Sequence, residues 1–379
     1  IYVINTCTVT NMAERKSRQM LRRVKEINPS AVLVVCGCYA QVAKNELEQI
    51  PEIDIILGIN EKNEIVQIVE NYMEKMAEQD KRNQETEIDD VSKQKEFLDF
   101  GDVTYTEKNR AVVKVQDGCN MFCSYCIIPY ARGRIRSRKI ESVVSEIEKI
   151  AKEGIKEVVI TGIHVASYGK DFDNENTSKK IRLIDLLEAI NKIDGIDRIR
   201  LSSLEPTIVD EEFATRLSKL DKICDHFHLS LQSGCDETLK RMNRKYTTQI
   251  YRDAVATLRK YYSEASFTTD VIVGFPGETD EEFAKTYEFL KEIDFYRLHV
   301  FKYSPRRGTV AEKMPNQIDG NKKEERSNKL IELSNSTENK HNQNYIGKTV
   351  KVLFEEFEDG FFKGHTTNYM MVKVAGVEG

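Results

Sequence analysis

No excess of basic charge runs through the chain: 57 Lys and Arg stand against 62 Asp and Glu, a net charge of −5 over 379 residues. A global footprint for nucleic acid is excluded, and any RNA site has to be a local patch. No apolar run approaches the length of a membrane span, so no membrane partner is expected. A disulfide framework is missing too. The eight cysteines fall at 7, 36, 38, 119, 123, 126, 224 and 235. Clusters of this kind in a large, Lys/Glu-rich chain favour metal ligation in a reducing cytosol, and a cytoplasmic location is expected. The length suits two or three domains. The chain begins at Ile1 inside what reads as a strand, and is expected to be a piece of a longer protein.

What is present centres on Cys119-Asn-Met-Phe-Cys123-Ser-Tyr-Cys126, three cysteines at C-x3-C-x2-C spacing after a β-like run, Ala111–Gln116. Thiolates this close on one loop converge on a metal centre. A four-iron cluster ordinarily takes four cysteines, so three local thiolates leave one iron open for chemistry. A zinc site would instead ask for two C-x2-C pairs or a Cys/His partner, and neither follows here. Four arginines and a lysine come next, Arg132, Arg134, Arg136, Arg138 and Lys139. Guanidinium groups beside a redox centre suit an anionic substrate, a phosphate or a carboxylate.

The loop and its flanks, Asp117-Gly118-Cys119 through Cys126-Ile127-Ile128-Pro129-Tyr130-Ala131-Arg132-Gly133, resemble the radical S-adenosylmethionine (SAM) enzymes, and within them the methylthiotransferases. The resemblance implies that Cys119, Cys123 and Cys126 hold a [4Fe-4S] cluster whose open iron binds SAM. Asn5-Thr6-Cys7-Thr8-Val9-Thr10 and Gly37-Cys38-Tyr39-Ala40-Gln41 look like the amino-terminal domain of the same family, where three cysteines hold a second [4Fe-4S] cluster. Cys7 and Cys38 then stand as two of its ligands, and the remaining one is expected upstream of Ile1. Spacing alone leaves Cys7 and Cys38 open to the plainer reading of two buried thiols. Cys36, after Val32-Leu33-Val34-Val35, is expected in the core, and Cys224 and Cys235 as ordinary thiols.

The expected fold is α/β. Residues 1–75 read as a parallel α/β domain: strands Ile1–Ile4, Ala31–Cys36 and Ile53–Leu57, with a helix over Met12–Ile27 ended by Asn28-Pro29. Residues 76–104 are polar and mixed in charge, and read as a linker. Residues 105–315 alternate strand and helix in six β units, which close into a full or partial barrel with ligands at the strand C-termini; the resemblance to radical SAM enzymes implies the partial (β/α)6 barrel. Residues 316–346 form a connector helix. Residues 347–379 carry period-two strands and an Asp359-Gly360 turn, and resemble a small TRAM β-barrel one strand short of closure.

Four phrases end predicted barrel strands: Thr161-Gly162-Ile163-His164, Ser202-Ser203-Leu204-Glu205-Pro206, His228 to Gly234, and Asp270 to Glu278 with its Gly-Phe-Pro-Gly turn. From them the resemblance implies SAM contacts at Thr161, Gly162, Ser203, Glu205, Gln232, Val273 and Gly274, with Tyr125 from the cysteine loop. Candidate RNA contacts are Arg18 and Arg22 on the first helix, Arg132, Arg134 and Arg136, and Lys363 and His365 in the tail. The implied activity is a tRNA methylthiotransferase adding a methylthio group at C2 of threonylcarbamoyladenosine, position 37 of the anticodon stem-loop. Thr10 to Gln19 and Gly364 to Tyr369 carry the likeness to that branch. The implied mechanism has the Cys119 cluster reduce and cleave SAM to a 5′-deoxyadenosyl radical, while the second cluster supplies sulfur methylated by a separate SAM. It needs an electron donor such as flavodoxin or ferredoxin, and a sulfur source. The alternatives are a sister enzyme acting on isopentenyladenosine or on a ribosomal-protein aspartate, and a redox-sensing RNA-binding protein without enzymatic activity.

Overall fold

The computed structural model describes residues 1–79, 82–99, 101, 109–174 and 180–376. The chain divides into two compact units. The first joins Ile1–Phe100, Gly118–Arg134 and Ser304–Lys313; the second joins Gly101–Asp117, Ile135–Tyr303 and Met314–Gly379.

The first unit is built on a parallel sheet, β1 (Tyr2–Thr6), β2 (Leu33–Gly37), β3 (Ile55–Leu57) and β4 (Glu85–Glu87), in that spatial order. Its helices are α1 (Asn11–Ile27), α2 (Cys38–Val42), α3 (Lys44–Leu47), α4 (Ile65–Gln79) and α5 (Ile128–Arg132). Every residue of β2 is buried, as a strand covered on both faces requires. Leu33 and Val35 point to Leu21 and Val24 of α1; Val34 and Cys36 point to Ile68, Val69 and Tyr72 of α4. Cys36 is therefore a core residue, and burial pushes its thiol pKa up. Thr10 caps α1 by accepting from the Ala13 amide at 3.1 Å, and the Asn28 amide closes its end on Val24.

The stretch expected as a linker departs from that reading. Helix α4 runs on to Gln79, and Glu85–Glu87 pairs in parallel with Ile55–Leu57. An edge strand needs backbone partners more than apolar side chains, so polarity alone does not exclude it. Arg82 fixes the approach through Asp54 at 2.8 Å and the carbonyls of Pro29 and Ser30, both at 3.1 Å. Residues 80, 81, 100 and 102–108, which fall in the expected linker and at the start of the expected barrel, lie outside the described residues.

The second unit contains β5 (Arg110–Asp117), β6 (Arg136–Ser137), α6 (Ile140–Lys152), β7 (Glu157–Gly162), α7 (Leu183–Ile190), β8 (Arg198–Leu201), α8 (Glu211–Leu217) and β9 (His226–His228). It continues with α9 (Asp236–Arg241), α10 (Thr248–Tyr261), β10 (Ser266–Val273), α11 (Asp280–Ile293), β11 (Arg297–Lys302) and α12 (Gly320–Gln343). Strands β5, β7 and β8 pair in parallel, as do β9, β10 and β11. A parallel bridge between Leu204 and Leu229 joins the two sets, so six strands form one open barrel wall. Strand β6 lies antiparallel beside β5.

Side-chain alternation explains how the wall is stabilised. Ala111, Val113, Val158, Ile160, Ile199, Phe227, Leu229, Phe267 and Val271 face the helices and are essentially fully buried. The alternate positions face inward and carry most of the polar groups of the wall, among them Arg110, Glu157, Arg200, His226, His228 and Asp270, with Val112, Val159 and Ile272 between them. At the strand starts Arg110, Arg198 and Arg200 converge on fully buried Glu157, at 2.7, 3.7 and 2.8 Å. The tail, an antiparallel sheet of β12 (Val352–Glu358), β13 (Phe361–Thr366) and β14 (Met371–Ala375), docks on this end. Arg198 donates to the His365 carbonyl at 2.8 Å and Arg200 to those of Thr367 and Thr366, at 3.0 and 3.2 Å. The Tyr369 ring stacks on His226 and His365, with centroids 4.9 and 4.6 Å away. The opposite end, where the strands finish, carries the four phrases singled out in the sequence. No described helix is long and apolar enough to cross a membrane.

Candidate cluster and cofactor sites

In the first unit the three-cysteine loop is held open by its own backbone. Gly118 has φ +69°, and a Cβ there would lie 1.7 Å from the Arg134 carbonyl oxygen, so only glycine fits before Cys119. The Cys119 amide donates to Gly133 at 3.0 Å, and the Cys126 amide to Cys123 at 2.9 Å. Phe122, itself at φ +49°, packs edge-on to Tyr130 with 5.7 Å between centroids, beneath the Arg134 guanidinium at 4.9 Å. Cys119 and Cys123 are buried, while Cys126 and Tyr125 are half-buried. The Met121 amide points at the Cys119 sulfur at 3.4 Å, a donor suited to an electron-rich thiolate. Among the described residues no group of three or more Cys, His, Asp or Glu side chains is placed to hold a metal ion. The fit to a cluster rests on the donor set: three thiols within eight residues and an amide aimed at one sulfur.

Cys7 and Cys38 follow directly on Thr6 and Gly37, which are register partners in the parallel pair β1–β2. The sheet thus delivers both cysteines to the same edge. Gly37 has φ +102°, and a Cβ would meet the Thr6 carbonyl oxygen at 2.4 Å. Cys7 is exposed and Cys38 buried. The Arg132 Nε donates to the Cys38 sulfur at 3.2 Å. Arg306, also buried, ties down the segment after Cys7: it donates to Asn11 at 2.7 Å and to Thr8 at 3.4 Å, and pairs with Glu14. The Ala311 amide donates to the Ser124 carbonyl of the cysteine loop at 2.8 Å. A cavity of about 500 Å³ lies alongside, its wall running from Thr8, next to Cys7, to Ile127, next to Cys126, and including Tyr39, Tyr130 and Arg306.

In the second unit the strand ends gather a polar group. Glu205 is 4 % exposed and accepts from His164 Nε2 and Arg244, both at 3.1 Å, and from Thr207 at 3.2 Å. Burial pushes its pKa up, but the His164 hydrogen bond and the Arg244 charge outweigh it and hold the carboxyl below its usual range. His164 is fixed by Ser167 at Nδ1 (2.5 Å) and by its amide on Gln116 (2.7 Å). Thr161 is half-buried at the end of β7. Gly162 abuts Gln116 so closely that a Cβ would sit 2.9 Å from it. Ser203 is exposed, and the neighbouring Ser202 hydroxyl is buried without a hydrogen-bond partner, as is His228 Nε2. Gln232 takes φ +69° and continues the β10 ladder through Asp270 and Ile272, both at 2.9 Å. Orphaned polar atoms and an ionised carboxylate at strand ends suit a polar, cationic cofactor such as SAM.

Val273 is buried in the core, and the Gly274 amide donates to Glu278, which closes the Gly-Phe-Pro-Gly turn and is itself braced by Arg326. Of the residues proposed for RNA, Arg22 is exposed, and Arg18 donates to Tyr39 at 2.8 Å. Arg134 covers Phe122, and Arg136 is buried near Asp117 at 3.6 Å. Lys363 pairs with Glu358 and Glu356, and His365 bonds Glu355 at 2.8 Å. Sequence reasoning missed Arg244, Gln116, Glu278 and Arg306. Arg244, Gln116 and Arg306 act through partners far away in sequence, which no local spacing reveals, and Glu278 acts on the turn beside it while Arg326 braces it from a distance.

Residues 113–290 match the model of the radical SAM superfamily, and residues 1–58 that of uncharacterized protein family UPF0004. The threonylcarbamoyladenosine tRNA methylthiotransferase MtaB of Bacillus subtilis is 40 % identical, over 100 % of this chain and 82 % of its own. That of Aquifex aeolicus is also 40 % identical, over 99 % and 88 %. The tRNA-2-methylthio-N(6)-dimethylallyladenosine synthase of Thermoanaerobacter sp. is 37 % identical, over 94 % and 74 %. Among solved structures, the radical SAM methyltransferase TsrM of Kitasatospora setae, with cobalamin and a [4Fe-4S] cluster bound, superposes with TM-score 0.58. It is 16 % identical, with 82 % of this chain and 65 % of that one covered, a likeness of fold alone.

Proposed function

The chain belongs to the radical SAM methylthiotransferase family, and from that premise we propose that it adds a methylthio group at C2 of threonylcarbamoyladenosine 37 in the tRNA anticodon stem-loop. The observation that carries the reading is the cavity of the first unit, walled by the neighbours of both Cys7 and Cys126. A base must lie between a hydrogen-abstracting centre and a sulfur donor to react with both. The choice of nucleoside draws on the relatives named for it and on the Thr10 to Gln19 and Gly364 to Tyr369 segments.

Cys119, Cys123 and Cys126 hold the cluster that binds SAM, and Cys7 and Cys38 hold two corners of the other. When bound, the clusters and SAM supply one-electron chemistry and transferable sulfur. The chain supplies geometry. Gly118 and Gly133 shape the loop, Arg306 fixes the segment after Cys7, and Glu205, kept ionised, offers its remaining lone pairs to hydroxyl or ammonium donors of SAM. Arg22 and Arg134, both exposed, offer their guanidinium groups to phosphates. The reaction runs in the cytoplasm with an electron donor such as flavodoxin or ferredoxin and a sulfur source.

The test is anaerobic turnover of the full-length protein with SAM, reductant and tRNA carrying either threonylcarbamoyladenosine or isopentenyladenosine. Nucleoside mass analysis is expected to find the methylthio product of the first, together with 5′-deoxyadenosine. Methylthiolation of isopentenyladenosine alone, or of neither, overturns the assignment.

A further inference from the structure

We propose that Arg132 is a positioning residue for the second cluster: its Nε–H is aimed at the Cys38 sulfur and tunes the potential of the centre that this sulfur ligates. The proposal rests on the reading of Cys7 and Cys38 as ligands. Arg132 closes the short helix α5, directly downstream of the three-cysteine loop, yet its donor reaches a cysteine ninety-four positions away, at 3.2 Å. The contact is built rather than incidental. Ala131 is fully buried against Cys38, Ile59 and Val91, so α5 is docked on the start of α2 and the Arg132 stem leaves it in a fixed direction. Gly37 locks the backbone before Cys38 by its approach to Thr6.

Cys38 is 8 % exposed, so a cationic N–H there acts with little water to screen it. Hydrogen bonds to ligand sulfurs and nearby positive charge stabilise the more electron-rich state of an iron–sulfur centre and raise its potential. A guanidinium turned outward to phosphate would leave the Cys38 sulfur without this donor. The same unit thus carries both cysteine sites, with one side chain leading from the neighbourhood of the first to a ligand of the second.

The experiment uses the full-length protein with Cys119→Ala, Cys123→Ala and Cys126→Ala, which isolates the second cluster. Iron content and the midpoint potential, by EPR-monitored redox titration, are compared for Arg132, Arg132→Lys and Arg132→Met. The expected result is unchanged iron with a potential shifted to more negative values in Arg132→Met, and a smaller shift of the same sign in Arg132→Lys. Unchanged potential in both variants overturns the proposal, as does lost iron with an unshifted potential in the remaining centres, which marks a purely structural role. An iron-free parent overturns the ligand reading itself, and the proposal with it.

Discussion

The two units solve the same problem, burying a parallel sheet, in opposite ways. In the first, β2 is apolar on both faces and sandwiched by helices. In the second, the barrel wall is apolar throughout on its outer face, while its interior is mixed and carries Arg110, Glu157, Arg200, His226, His228 and Asp270. The difference teaches where function sits. A sheet covered on both faces can present chemistry only at its strand ends, which is where Cys7 and Cys38 lie. A hollow barrel can also present it inside. Its two ends differ: at the strand starts Arg198 and Arg200 bind Glu157 and the carbonyls of the docked tail, whereas the strand finishes gather Glu205 with His164, Arg244 and Thr207.

The largest effect expected from breaking this contrast is at the cysteine loop. Cys119→Ala should abolish SAM cleavage, with no 5′-deoxyadenosine detected and about four irons per chain lost. Cys36→Ala, in the same unit but in its core, should leave cleavage intact. Next comes Arg200→Ala at the closed end of the barrel. It removes a partner of buried Glu157 and the donor to Thr366 and Thr367, and should destabilise the second unit by about 3–5 kcal/mol in denaturant unfolding. Gly118→Ala forces a Cβ into Arg134 and a left-handed φ on alanine. A loss of about 1–3 kcal/mol and reduced iron loading are expected, read by hydrogen exchange over 118–134 and by iron content.

An effect of similar size in stability, with no loss of iron beside it, is expected at the strand finishes. Glu205→Gln should cost about 1–3 kcal/mol near neutral pH. Because the folded carboxyl lies below its ordinary value, its contribution is full above the unfolded pKa and fades as pH falls through the folded one. The difference in Tm between the parent and Glu205→Gln should therefore narrow on acidification. A gap that widened towards acid pH would mean that Glu205 is held by burial and not by His164 and Arg244.

Much of this was legible in the chain. The six barrel strands follow from the alternation of strand and helix over 105–315. The three-cysteine loop is legible because its cysteines are close in sequence. Cys7 and Cys38 come to the same end of the sheet through the β1–β2 register, which no local spacing reveals. Strand β4 was hidden because an edge strand can be polar on both faces. Arg132 and Arg136 look alike in the sequence, yet one serves a sulfur and the other is buried near Asp117, because only packing decides which way a guanidinium turns. The tail reads as a nucleic-acid surface by composition, but Tyr369 and the carbonyls of 365–367 are spent on the barrel.

The most direct test of the whole account is EPR of the reduced full-length protein with and without SAM. The account predicts that SAM changes the signal of the Cys119 cluster, that the change survives Cys7→Ala and Cys38→Ala, and that it disappears in Cys126→Ala. A signal indifferent to SAM, or a response that persists without Cys126, would contradict it.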